Sequence, residues 1–140
     1  MALFMDARII GQKGVSIQGT YNKWTEKQEV ANMSITINIR YKGQNGSAAA
    51  FAKAMTESGT VEKIRNEEGN LRYEYYRSLE DPETVLLIDS WKDQEAIDRH
   101  HSSEMMKTIS DLRNKYDLHM EVDRFTSLDN PETDDRFIRK

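Results

Sequence analysis

The stretch LRYEYYRSLEDPETVLLIDSWKDQEAIDRH, residues 71–100, decides the fold. Leu71, Tyr73 and Tyr75 alternate with Arg72, Glu74 and Tyr76, the two-residue period of a half-buried strand. Asp81-Pro82 supplies turn chemistry, because proline presets φ and aspartate can bond its own backbone. Val85, Leu87, Asp89 and Trp91 then point to one face, and Leu86, Ile88 and Ser90 to the other. A run that is apolar on both faces predicts a strand covered on both sides. Asp93 is placed to cap a helix starting near Gln94. Trp91 closes the strand and His100 lies about two turns into that helix. The two are therefore expected to border one cavity where strand passes into helix.

Upstream, Met33, Ile35, Ile37, Ile39 and Tyr41 alternate with Ser34, Thr36, Asn38 and Arg40, the clearest strand in the chain. Gly43 to Gly46 is a turn, and Ser47 is expected to cap a helix carrying Ala48, Phe51, Ala54 and Met55. Gly59-Thr60 interrupts it, with Thr60 recapping a second piece, and Glu67-Glu68-Gly69-Asn70 ends it. Downstream, Gln94 to Tyr116 reads as helix broken at Ser102-Ser103, which is expected to cap the second half. Met105, Ile109, Leu112 and Tyr116 form its apolar stripe. Leu118, Met120 and Val122 begin a last strand, and the phase slip to Phe125 and Leu128 predicts a bulge near Asp123-Arg124.

The order from Met33 is thus βαββαβ: an α+β, ferredoxin-like antiparallel sheet with both helical segments on one face. Those helices cover one face only, so the apolar character of Leu86 and Ile88 predicts a homodimer packed through the open sheet face. Three divisions are expected: residues 1–32 as an extension, 33–128 as the domain, and 129–140 as a polar tail. Within the extension, residues 3–10 and 15–21 read as a β-hairpin joined by Gly11 to Gly14.

At 140 residues with 37% apolar content the chain can bury one core. A net charge of −4 gives no electrostatic reason to expect nucleic acid or an anionic membrane as partner. No apolar run approaches the roughly 20 residues of a membrane span, and MALFMDARII has no adequate apolar core for a secretory signal. The absence of cysteine excludes disulfides, thiol nucleophiles and cysteine metal sites, and fits a cytoplasmic protein.

The segment GNLRYEYYRSLEDPETVLLIDSWKDQEAIDRHHSSE, Gly69 to Glu104, resembles the antibiotic biosynthesis monooxygenase superfamily, and within it the small quinol monooxygenase-like proteins. The shared pattern is an aromatic strand, an Asp-Pro turn, an apolar strand ending acid-x-Trp, and a helix with His nine residues after the Trp. Looser similarity runs from Met33 to about Leu128. The resemblance implies ferredoxin-like dimers whose sheets pack into an α/β-barrel. It also implies one of several activities, because the family spans oxygenases, isomerases, haem degraders and proteins without assigned chemistry.

His100 is the candidate catalytic base or substrate partner, since imidazole titrates near neutrality. The competing reading is a packed helix histidine with both nitrogens satisfied. Trp91 is a candidate pocket wall for a flat substrate, against the plainer reading of a core tryptophan. Asp89 stands where the family often carries Glu; it needs a partner such as Arg72, Arg40 or another subunit, and reads as structural or dimer-bridging before catalytic. Tyr73 is a further wall candidate and Asn38 a candidate hydrogen-bond donor to substrate.

The run His100, His101 and Glu104 contains an i,i+4 His–Glu pair that could share a metal on one helix face, but no third ligand is evident nearby apart from remote His119, so no metal is expected. Haem degradation would ask for an axial histidine near Ser110, and none is there. No dinucleotide or phosphate loop is present either, so no cofactor is expected. The resemblance implies a cofactor-independent monooxygenase acting on a small hydroxyaromatic with O2, and the residues are consistent with that chemistry. The alternatives are an isomerase or degrader of a small carbonyl compound, and a non-catalytic binding dimer.

Overall fold

The structure, a computed structural model, describes residues 33–140. The expected N-terminal hairpin lies outside the described residues. Four strands form one antiparallel sheet: β1 (Ile35–Lys42), β2 (Asn70–Arg77), β3 (Thr84–Trp91) and β4 (His119–Thr126), in the order β2-β3-β1-β4. Helices α1 (Ser47–Glu57) and α2 (Thr60–Arg65) join β1 to β2, and α3 (Gln94–His101) and α4 (Met105–Lys115) join β3 to β4. This is the ferredoxin-like α+β arrangement read from the sequence, with the sheet open rather than closed. A 3-10 turn of helix, Glu132–Phe137, follows in the exposed tail.

Register decides which side chains face the helices. Ile37 pairs with Asp89, and Asp89 with Tyr73; Ile39 pairs with Leu87, and Leu87 with Tyr75. These residues therefore share one face, with Tyr41 and Trp91 at its two ends. Against them pack Phe51, Met55, Ile64, Ile97 and Ile109, all fully or almost fully buried. β4 is exposed along its length, so the helical layer covers the β1–β3–β2 part of the sheet and leaves its fourth strand open.

Local expectations meet mixed outcomes. Asp81 does organise the hairpin turn, accepting from Glu83 N at 3.0 Å and Thr84 Oγ1 at 2.6 Å. Asp93 does cap α3, its Oδ1 accepting from Ala96 N at 2.8 Å. Ser47 does not cap α1: Gly46, in left-handed backbone, holds that position, and Ser47 Oγ accepts from Gln44 N instead. Thr60 is likewise the first residue of α2 rather than its cap, which is Gly59. Ser103 turns back to the end of α3, its hydroxyl donating to His100 O at 2.6 Å, and the cap position of α4 falls to Glu104.

The bulge also sits elsewhere. β1 and β4 pair without interruption from Ile35–Thr126 to Lys42–His119. Phe125 is out of phase because it faces the open side, opposite Thr36, where it is 52% exposed. The register shift is in β2, between Asn70 and Arg72, and it turns Leu71 out of the core to 59% exposure.

Candidate active site

One cavity of about 310 Å³ opens between the helix-facing side of the sheet and helices α3 and α4. Its apolar lining comes from Ile37, Ile39, Leu87, Met106, Ile109 and Val122. Its polar lining is Tyr73, Asp89, His100, His101, Arg113 and Arg124. An apolar hollow with a few convergent polar groups is the ordinary form of a small-molecule site. A slightly larger hollow, about 370 Å³, lies beside α1 and the β2 edge between Ala52 and Tyr75; it has no histidine or carboxylate in its lining.

His100 is 4% exposed. Its Nδ1 lies 2.7 Å from Glu67 Oε1, close enough for a charge-assisted hydrogen bond. With Glu67 ionised, that bond places the imidazole proton on Nδ1 and leaves Nε2 as the lone-pair nitrogen. Burial lowers the imidazole pKa, and the neighbouring Glu67 carboxylate works against that lowering. The lowering favours the neutral ring, the protonation state a general base needs.

The delivery of Glu67 follows from the chain's path. After α2 the backbone turns through Gly69 at φ 86, a left-handed conformation. Lys92 N donates to Gly69 O at 2.8 Å, tying this loop to the end of β3. A side chain at residue 69 would put its Cβ 2.6 Å from Ala96 Cβ. Glycine thus allows the loop to press against the first turn of α3, one turn before His100 on the same helix face.

Trp91 is fully buried and does not line the cavity. It stacks under His100, ring centroids 4.8 Å apart, and its Nε1 donates to Asp89 Oδ1 at 2.6 Å. The tryptophan thus fixes two pocket groups from behind rather than forming the wall itself. Tyr73 does line the pocket, edge-on to the imidazole at 6.5 Å. Asp89 also lines it, and its partner is the indole. Arg40 and Arg72, considered as its partners from the sequence, lie on the opposite sheet face, as their register positions require. Burial, with Glu67 adding to it, pushes the Asp89 carboxyl up to about 7. Asn38 is not brought into this constellation. It alternates with Ile37 and Ile39 and so stands on the open face.

Three residues of the site were not singled out from the sequence: Glu67 behind His100, and Arg113 and Arg124 in the cavity lining. Glu67 sat in a run that marked a helix end, 33 positions before His100, and no local pattern links them. Arg113 had a weak signal: it lies four residues after Ile109 and one after Leu112, so a cation interrupts the apolar stripe of α4. Among the described residues no group of three His, Asp or Glu side chains is arranged to hold a metal ion.

The family model for antibiotic biosynthesis monooxygenases matches residues 34–112, more than half of the chain. The chain belongs to the antibiotic biosynthesis monooxygenase family. The matched span holds Glu67, Tyr73, Asp89, Trp91 and His100, and ends one residue before Arg113. Solved structures share the fold. A conserved protein of Bacteroides thetaiotaomicron superposes with TM-score 0.61 at 16% identity, over 69% of this chain and all of its own. A Pseudomonas aeruginosa protein gives 0.61 at 22%, over 71% and 98%. A Caulobacter crescentus protein assigned to the same family gives 0.61 at 17%, over 75% and 99%. No curated protein matches the sequence. Membership of this family supports a monooxygenase-like function in general terms.

Proposed function

We propose that this chain is a cofactor-independent monooxygenase that oxidises a small hydroxyaromatic, such as a quinol, with O2. The observation that carries the reading is the Glu67–His100 pair: a buried imidazole, held by a carboxylate at 2.7 Å, facing an apolar cavity. In this scheme His100 Nε2 takes the hydroxyl proton of the substrate. Glu67 stabilises the imidazolium that results, as a carboxylate behind a catalytic histidine does elsewhere. The deprotonated ring is electron-rich enough to pass electrons to O2 itself. One oxygen atom enters the ring product and the other leaves as water, for which the substrate supplies the electrons. Tyr73 bounds the pocket beside the imidazole, and Trp91 holds His100 and Asp89 in place.

The same reading includes a homodimer through the open face, where Leu86 and Ile88 are half-buried and Phe125 and Tyr76 exposed. A cytoplasmic location goes with it. No helix among the described residues is long and apolar enough to cross a membrane.

The test is oxygen uptake by metal-stripped protein over a panel of quinols and hydroxynaphthalenes, beside His100→Gln. Uptake above autoxidation, lost in the variant, is the expected result. Absence of enzyme-dependent uptake across the panel counts against oxygenation. One observation favours a second reading in that event. Asp89, at about 7, gives the pocket a second proton-transfer group beside His100, as an isomerase of a carbonyl compound requires. Such an enzyme turns over without oxygen.

A further inference from the structure

Arg113 is the pocket's unexplained charge. It projects from α4 into the cavity lining, half-buried. Its Nη2 donates to Tyr41 Oη at 3.0 Å, and its guanidinium lies 5.5 Å from the Tyr41 ring centroid. Its Nε is buried and has no hydrogen-bond partner among the described residues. No carboxylate among them forms an ion pair with it. A guanidinium has five donors and no way to shed its charge. Leaving one of those donors buried and unmet is costly, and such an atom in a native fold calls for an explanation.

The surroundings of the cavity say what would meet the charge of this guanidinium. Arg113 and Arg124 both line the cavity, and among the described residues Arg124 is engaged only with the neutral Gln94 side-chain oxygen. Asp89 is the one carboxylate in the lining, and burial keeps it largely protonated below neutrality. Burial favours the neutral ring of His100. Below neutrality the lining itself therefore carries two arginine charges around an apolar hollow, with the Glu67 carboxylate lying behind His100, and this favours a flat ligand with a negative end.

We infer that the Arg113 guanidinium is the anion-holding group of this pocket, and that the ligand is a small aromatic molecule bound through an anionic oxygen, either a carboxylate substituent or a phenolate. The inference rests on the cavity being the substrate site proposed above, but not on oxygen chemistry. Arg113 acts here as a specificity-determining residue. Its guanidinium selects the anionic form of the ligand, while the base on α3 works on the hydroxyl.

The test is ligand binding under anaerobic conditions, by titration calorimetry. The probes are 1-hydroxy-2-naphthoate, its methyl ester, 1-naphthol and 1-methoxynaphthalene. They are titrated into wild type, Arg113→Gln, Arg113→Lys and Tyr41→Phe. If the anion is a carboxylate, wild type binds the acid about tenfold tighter than the ester. If it is a phenolate, naphthol beats its methyl ether by a similar factor. In either case the preference collapses in Arg113→Gln, is partly kept in Arg113→Lys, and survives in Tyr41→Phe. The last variant removes the Nη2 partner without touching the charge, so it controls for loss of local structure. Equal binding within both pairs in wild type overturns the inference. So does a preference that Arg113→Gln leaves intact, or one that Tyr41→Phe abolishes equally. Anion-selective binding without oxygen uptake would sustain this inference while sinking the oxygenase reading. Oxygen uptake with no anion preference would do the reverse.

Discussion

Replacing Asp89 by Asn should stabilise the protein at pH 8 and leave it nearly unchanged at pH 4. Asp89 is 6% exposed and its only hydrogen-bond partner among the described residues is the Trp91 indole. Lifting a carboxyl from 3.8 to about 7 means its ionised form is disfavoured in the fold. At ~1.4 kcal/mol per tenfold, the burden of ionised Asp89 above neutrality is about 4 kcal/mol. The sign follows from proton counting. Below pH 4 the carboxyl is protonated in both folded and unfolded chains, so nothing is lost. Between pH 4 and 7 the unfolded chain releases the proton and the folded one keeps it. Stability then falls with rising pH by about 1.4 kcal/mol per pH unit. Above 7 both are ionised and the loss is constant. Asn keeps an oxygen for the indole to donate to and has no charge to bury. Urea unfolding of wild type and Asp89→Asn at pH 4.5, 6 and 8 reads the difference directly. It should widen by about 2–4 kcal/mol across that range. A constant difference, or a variant weaker than wild type at pH 8, would refute the account of Asp89 as a buried carboxyl resisting ionisation.

Three further outcomes follow from the same geometry. Gly69→Ala combines a left-handed backbone with a 2.6 Å approach to Ala96 Cβ, and should cost about 2–4 kcal/mol of stability by denaturant unfolding; a cost under about half a kilocalorie would show the loop does not need this contact. Glu67→Gln removes the charge that opposes the lowering of the His100 pKa, so the imidazole should titrate at still lower pH, read by NMR of the ring protons; an unchanged or raised value would mean the carboxylate does not hold this ring. Ile88→Asp puts a charge at the centre of the open sheet face and should shift the protein from dimer to monomer in sedimentation velocity, whereas a wild-type monomer would dispose of the dimer outright.

How much of this was legible beforehand depends on the range of the forces involved. The β3 strand, its Asp-Pro turn and the Asp93 cap are local: a few neighbouring residues fix them, and all three read correctly from the chain. The alternation of Met33 to Tyr41 likewise told which of its side chains face the helices. Leu71 did not read correctly, because a bulge is one extra residue whose position depends on how β2 meets β3, not on its own pattern. Phe125 failed in the mirror sense: a phase slip in the sequence was a change of face and no bulge.

The site divides along the same line. The Trp91-to-His100 spacing, strand end to second helical turn, was enough to bring the two rings together, and they stack. Only the tertiary structure decided what they do there. It put the indole behind the imidazole rather than in the pocket wall, turned Asp89 toward that indole, and left Asn38 on the other side of the sheet. It brought Glu67 across 33 residues to His100 and set Arg113 in the same cavity lining, with no carboxylate partner among the described residues. The sequence by itself determined element order and the faces of β1 and β3, since periodicity and the Asp93 cap act over one or two turns of chain. Which charge meets which ring was decided by the packing of a loop, held close by Gly69, against a helix that the chain reaches only after two more strands.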